Sequence, residues 1–215
     1  MEHDLSLSSL FIDGAASLGI SVTPEQSKSF IIYLDQLKAW NRTTNLTSIT
    51  EDVEIVIKHF IDSIAVLNAV DFEANSLVFD IGTGAGFPGI PLKIIRQDLR
   101  MVLIEPSKKK ASFLRYIVGL LRLKQMEIYE GSLESLASDF SERERAKYVL
   151  ARGIKYDFIL DLSKTILSVN GKIVPFLAMP IDREHLTGRA KCENEYSFEL
   201  PMGYGHRVIA SLAVI

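Results

Sequence analysis

The segment Asp80-Ile81-Gly82-Thr83-Gly84-Ala85-Gly86 constrains this chain more than any other. It continues the short apolar run Leu77-Val78-Phe79, and glycines at alternate positions close it. Glycine adopts backbone conformations that other residues avoid and lets the chain approach a ligand closely. An apolar run ending in such a turn, with a helix pattern behind it at residues 88–96, predicts strand, tight loop and helix in succession. In a doubly wound sheet that loop faces the crevice at the carboxyl ends of the strands, where ligands bind.

The rest of the chain agrees with an α/β fold. Met101-Val102-Leu103-Ile104-Glu105 is a second buried-strand pattern, and Phe113, Leu114, Ile117, Leu120 and Leu121 mark a helix over residues 108–123. Further strands are expected at residues 126–129, 148–151, 172–177, 196–200 and 208–214. Strands alternating with helices argue for a largely parallel sheet. The first seventy or so residues carry helix signals instead. Thr23 can cap, Pro24 suits the first helical position and Gln26 completes a capping box, ahead of Phe30, Ile31, Leu34 and Leu37. A second helix is expected after Thr50, with Val53, Val56, Ile57, Phe60, Ile64 and Leu67 on its apolar face. The expected organisation is a helical extension over residues 1–72 packed on a core of residues 73–215.

Composition narrows the class. A chain of 215 residues with 47% hydrophobic and 24% charged residues can bury a full core. Cys192 is the sole cysteine, so neither an intrachain disulfide nor a cysteine zinc cluster is possible, which points to a reducing compartment. Residues 1–10 lack the pattern of a secretory signal, and no apolar stretch approaches the roughly 18 residues of a membrane span. The expectation is a cytoplasmic monomer with no metal and no membrane partner. A net charge of −3 argues against non-specific coating of nucleic acid but leaves room for a local basic patch. Lys108, Lys109, Lys110, Arg115, Arg122 and Lys124 form such a run with no acid among them, either to hold RNA phosphates or as a basic solvent face. Residues 138–147 read as a solvated charged stretch.

The ligand follows from the acids around the turn. Gly84-x-Gly86-x-x-Gly89 matches the dinucleotide fingerprint, a weak signal alone. Glu105, about twenty residues on, can accept hydrogen bonds from ribose hydroxyls in either a nicotinamide dinucleotide or S-adenosylmethionine. Asp80 discriminates: a carboxylate beside the first glycine suits a ligand carrying an ammonium and a sulfonium, and suits a pyrophosphate badly. S-adenosylmethionine is the favoured ligand, with a nicotinamide cofactor or a purely structural turn as alternatives.

Four motifs in order then carry a resemblance. They are Ala39-Trp40-Asn41-Arg42-Thr43-Thr44-Asn45-Leu46-Thr47-Ser48, His59-Phe60-Ile61-Asp62-Ser63, the turn continued through Phe87-Pro88-Gly89-Ile90-Pro91, and Leu103-Ile104-Glu105 followed by Lys109-Lys110 and Phe113-Leu114. Over residues 18–151 the chain resembles the RsmG (GidB) family of 16S ribosomal RNA methyltransferases, which modify nitrogen 7 of a guanine. The resemblance implies a Rossmann-like class I S-adenosylmethionine-dependent methyltransferase fold with a short N-terminal helical extension. It implies 16S ribosomal RNA or the small ribosomal subunit as partner. It implies donor contacts at Gly82 and Phe87, ribose at Glu105, the adenine region at Leu133 and Glu134, and a functional arginine at Arg152 near donor and substrate. Asp80, Gly84 and Gly86 complete the expected donor set. The chain departs from the family's usual arginine at Ser132, its usual alanine and apolar residue after Arg152 (here Gly153-Ile154-Lys155), and its usual Leu-Lys-Gly at Leu177-Ala178-Met179.

The chemistry is consistent. Nitrogen 7 of guanine carries a lone pair and no proton, so its methylation needs alignment rather than a general base. Methylation at pyrimidine carbon 5 commonly uses a cysteine nucleophile, and Cys192 lies in no recognisable motif. Trp40 can stack on a base or anchor the helices. Asn41 and Asn45 can bond substrate or cap the turn between helices, and His59 can act as a structural hydrogen-bonding residue or a catalyst. Asp62 can pair with His59 or with the donor loop. A donor-binding protein with altered activity and a small-molecule methyltransferase stay open as rivals.

Overall fold

The computed structural model describes residues 2–138 and 144–215, with side chains from residue 6 onward. Helix α1 (Glu2–Ser17) leads into α2 (Pro24–Thr44), which starts at the capping box expected of Thr23 and Gln26. A helical run follows through α3 (Asp52–Ile55), a π-helical segment (Val56–Ile61), α4 (Asp62–Ile64) and α5 (Val66–Ala69). Strands and helices then alternate: β1 (Leu77–Ile81), α6 (Gly89–Ile95), β2 (Arg100–Ile104), α7 (Lys108–Leu120), β3 (Met126–Tyr129), α8 (Leu133–Ser138), β4 (Ala146–Arg152), α9 (Tyr156–Ile166) and β5 (Leu167–Leu177). The chain ends in a hairpin of β6 (Ala190–Glu199) and β7 (His206–Val214).

The seven strands form one sheet in the order β3-β2-β1-β4-β5-β7-β6. The first five are parallel, and β7 enters antiparallel between β5 and β6. The order reverses between β1 and β4, and that switch point opens the crevice at the strands' carboxyl ends. The architecture is the Rossmann-like α/β fold that the alternation implies.

Alternation along each strand divides the core. Val78, Met101, Leu103, Tyr148 and Leu150 face one side, with α6, α7 and the N-terminal helices. Phe79, Ile81, Val102, Ile104, Val149 and Ala151 face the other, with α8 and α9. The N-terminal helices share the first cluster: Phe11, Phe30, Tyr33, Leu34 and Phe60 are buried in it with Phe87, Ile90 and Phe113. Within the run after Thr50, Val56, Ile57, Phe60 and Ile64 are fully buried as expected, and so are Ile61, Ala65 and Val66, because this run lies between α1 and the sheet rather than on a surface. Helix α9 goes beyond the sequence expectations, although Ile159, Leu160, Ser163 and Ile166 are buried at helical spacing. Of the expected charged stretch 138–147, residues 139–143 lie outside the described residues. Glu144 pairs with Arg100, and Lys147, already in β4, pairs with Glu73.

Candidate functional site

The loop after β1 is held open by its own backbone. Gly82, Gly84 and Gly86 have φ of 61°, 62° and 103°, the region that favours glycine. Added side chains at Gly82, Gly86 and Gly89 would collide with Ile154, with Ile90 and Tyr33, and with Leu103 and Asp80 respectively. At Gly84 only the Gly82 carbonyl, at 3.9 Å, comes within reach of an added methyl, so this glycine borders open space at the crevice.

Both acids expected at the donor site are present and buried. Asp80 Oδ2 accepts from Thr83 Oγ1 at 2.5 Å and from the Gly89 amide at 2.8 Å, which ties the loop to the start of α6. Asp80 Oδ1 is buried without a hydrogen-bond partner. Burial pushes this carboxyl up to about 7, against the two bonds that favour its charge. An orphaned carboxylate oxygen is costly unless a donor group meets it, and a ligand ammonium is such a group. Glu105, at the end of β2, accepts from the Gly84 amide at 2.9 Å and from the Ser107 amide at 2.9 Å. The open side of Gly84, the unpaired oxygen of Asp80 and the acid after β2 together fit a cationic adenosine ligand.

Arg152 ends β4 beside this loop. Its Nη1 donates to the Lys58 carbonyl at 3.3 Å and to Asp62 Oδ2 at 3.2 Å, and its Nη2 lies 2.9 Å from His59 Nδ1. Its guanidinium carbon stands 5.3 Å above the Phe87 ring, on which His59 stacks at 4.5 Å. Arginine only donates, so His59 Nδ1 presents its lone pair and Nε2 carries the proton. Nε2 then donates to Thr47 Oγ1 at 2.9 Å. Burial first, and Arg152 second, lower His59 to about 3, which keeps the ring neutral. Asp62 therefore pairs with Arg152 rather than with His59 or the donor loop, and it is held above the usual carboxylate range by burial.

The Trp40 and Asn45 motif reaches this cluster indirectly. Asn41 bonds the backbone of Thr47 in both directions, at 2.9 and 3.0 Å, which fixes the loop that presents Thr47 to His59. Asn45 is exposed and ends α2 in the left-handed conformation, a capping role. Trp40 is half-buried against Phe113 and Tyr116 and anchors α2 to α7. Leu133 is buried at the start of α8, and Glu134 is exposed beside it, its carboxyl lowered by a bond from Ser132. Ser132 itself accepts from the Ser135 amide and caps α8, which accounts for a serine at that position. Ile154, after Arg152, packs on Gly82. Lys108 and Lys109 are exposed and Lys110 half-exposed in the first turn of α7, and Arg115 pairs with Glu130.

Tyr33 is absent from the sequence-derived site. It is fully buried, donates to the Ala85 carbonyl at 2.5 Å and stacks on Phe87 and Phe60. Its place three residues after Phe30 and four before Leu37, on the same helical face, was the available signal. Among the described residues, no group of three or more histidine, cysteine, aspartate or glutamate side chains could hold a metal ion. Nor is any helix among them long and apolar enough to cross a membrane.

Comparisons with known proteins bear on this geometry. The model of the family described as GidB, rRNA small subunit methyltransferase G, matches residues 26–208. The chain is 34% identical over 200 residues to the ribosomal RNA small subunit methyltransferase G of Caldanaerobacter subterraneus, covering 91% of this chain and 84% of that one. It is 33% identical over 207 residues to the protein of the same name in Bacillus subtilis, covering 93% and 87%. In fold it is similar to TrmN from Thermus thermophilus, with a TM-score of 0.55 at 13% identity, covering 72% of this chain and 48% of that one.

Proposed function

This chain belongs to the GidB family, rRNA small subunit methyltransferase G, and from that premise we propose that its crevice methylates nitrogen 7 of one guanine in 16S ribosomal RNA. The chain is an S-adenosylmethionine-dependent methyltransferase of ribosomal RNA. The observation that carries the site assignment is the convergence of the open turn at Gly84, the orphaned oxygen of Asp80 and the clamped guanidinium of Arg152 at one end of the sheet.

When bound, the donor supplies a methyl group on a sulfonium, which leaves with its bonding electrons retained by sulfur. The residues of the chain bind and align. Asp80 takes the ammonium of the amino-acid end with its unpaired oxygen, Gly82, Gly84, Gly86 and Phe87 line that end, Glu105 takes the ribose, and Leu133 with Glu134 the adenine side. Phe87 and His59 hold Arg152 at the boundary between donor and acceptor. No side chain has to remove a proton, because nitrogen 7 has none, so alignment supplies the acceleration. The acceptor, whether free RNA or the small subunit, is held by basic groups. Lys108, Lys109 and Lys110 stand at the positive end of the α7 dipole, each at a cost of about 0.3–1 kcal/mol, which phosphates would offset. The active unit is the monomer.

Incubation of the unmethylated small ribosomal subunit with the protein and methyl-labelled donor should yield one labelled guanine, mapped by fragmentation of the RNA. Label on a pyrimidine, or none, would refute the target. Gly84→Trp should abolish donor binding in calorimetry while leaving the melting temperature within a few degrees; unchanged affinity would refute the placement of the donor.

A further inference from the structure

The acceptor side of the crevice holds a second arginine. Arg207 is the second residue of β7, next to Val208, which pairs with Leu177 at the end of β5. Its Nε lies 3.7 Å from Asp62 Oδ1, the oxygen that Arg152 leaves free. Asp62 is 6% exposed, whereas Arg207 keeps 30% of its side chain exposed and Arg152 20%. Two guanidiniums thus share one buried carboxylate, and the cluster carries one uncompensated positive charge at the mouth of the crevice. Arg207 Nη1 donates to the carbonyl of His206, and among the described residues Nη2 has no partner. Tyr204 follows the hairpin tip beside it, its ring 4.9 Å from the Lys58 ammonium.

We propose that Arg207 is an acceptor contact that takes a phosphate of the RNA strand next to the target base, while Asp62 keeps it in register with Arg152. The assignment rests on the methyltransferase reading above. A planar guanidinium with free donors, anchored by a buried acid, is suited to a phosphate oxygen pair. Binding the strand there brings it within one carboxylate of the arginine that borders the donor.

The test compares wild type with Arg207→Ala and Arg207→Lys, using the unmethylated small ribosomal subunit as acceptor. Arg207→Ala should raise KM for the subunit about tenfold with kcat within twofold, and should reduce the salt slope of log kcat/KM by about 0.7, one single-strand phosphate contact. Arg207→Lys should recover most of the affinity. Donor affinity by calorimetry should be the same in all three. An unchanged KM and salt slope in Arg207→Ala would overturn the proposal. So would a fall in kcat or donor affinity at constant KM, since that pattern belongs to a residue that only props Asp62 and Arg152. If wild-type protein leaves the subunit unmethylated, the methyltransferase target itself fails, and Arg207 with it.

Discussion

His59 illustrates how residue type and environment combine. Its sequence position left structural and catalytic roles open, and its surroundings fix a neutral ring that accepts from Arg152 and donates to Thr47. An imidazolium would lose the lone pair and face the guanidinium. Because His59 is lowered to about 3 from an ordinary value near 6.5, the unfolded chain binds the extra proton first. Its contribution to stability is complete above about pH 6.5 and is lost as pH falls toward 3. His59→Asn should therefore lower stability by about 1–3 kcal/mol at pH 7, and the deficit against wild type should shrink in urea unfolding at pH 4. A deficit independent of pH would contradict the neutral tautomer. Asp80 titrates with the opposite sign, its folded value raised to about 7. A cationic donor favours its charged form, so donor affinity should rise between pH 5.5 and 7 in wild type. In Asp80→Asn that rise should flatten, as read by calorimetry across the range.

At the scale of elements, the start of α2 and the parallel strands β1 to β4 were legible because their causes are local, whereas α8, α9 and the first half of β6 were not. The Thr23 capping box lies within four residues, and both of its bonds form. Thr23→Ala should cost about 1 kcal/mol, read as a lower urea midpoint with unchanged m-value. The π-helical segment was not legible. It carries Lys58 and His59, and its widened turn aims the Lys58 carbonyl and the His59 ring at Arg152, 93 residues from His59. Such segments recur at functional sites because they spend helical hydrogen bonding on position. Nothing in the spacing of Val56, Ile57 and Phe60 distinguishes that turn from an α-helical one, since both bury the same residues.

At the scale of the molecule, the N-terminal helices and the sheet share one core. The Tyr33 hydroxyl bonds the donor loop, and the Phe30, Tyr33, Phe60 and Phe87 rings pack in a series that ends under Arg152. Residues 73–215 expressed alone should accordingly remain without fixed tertiary structure by NMR dispersion; a folded fragment would contradict the shared core. Tyr33→Phe leaves the Ala85 carbonyl without its donor, and should lower stability by about 1–3 kcal/mol, read as a lower urea midpoint. The sequence by itself determined the alternating strands and helices, the glycine turn and the two acids flanking it, because hydrophobic period and glycine spacing act over a few residues. Only the tertiary structure decided that Asp80 braces the loop with one oxygen and leaves the other unpaired, and that Asp62 serves two arginines. The two arginine pairings join elements far apart in the chain, and burial, which spacing does not reveal, raises both carboxyls.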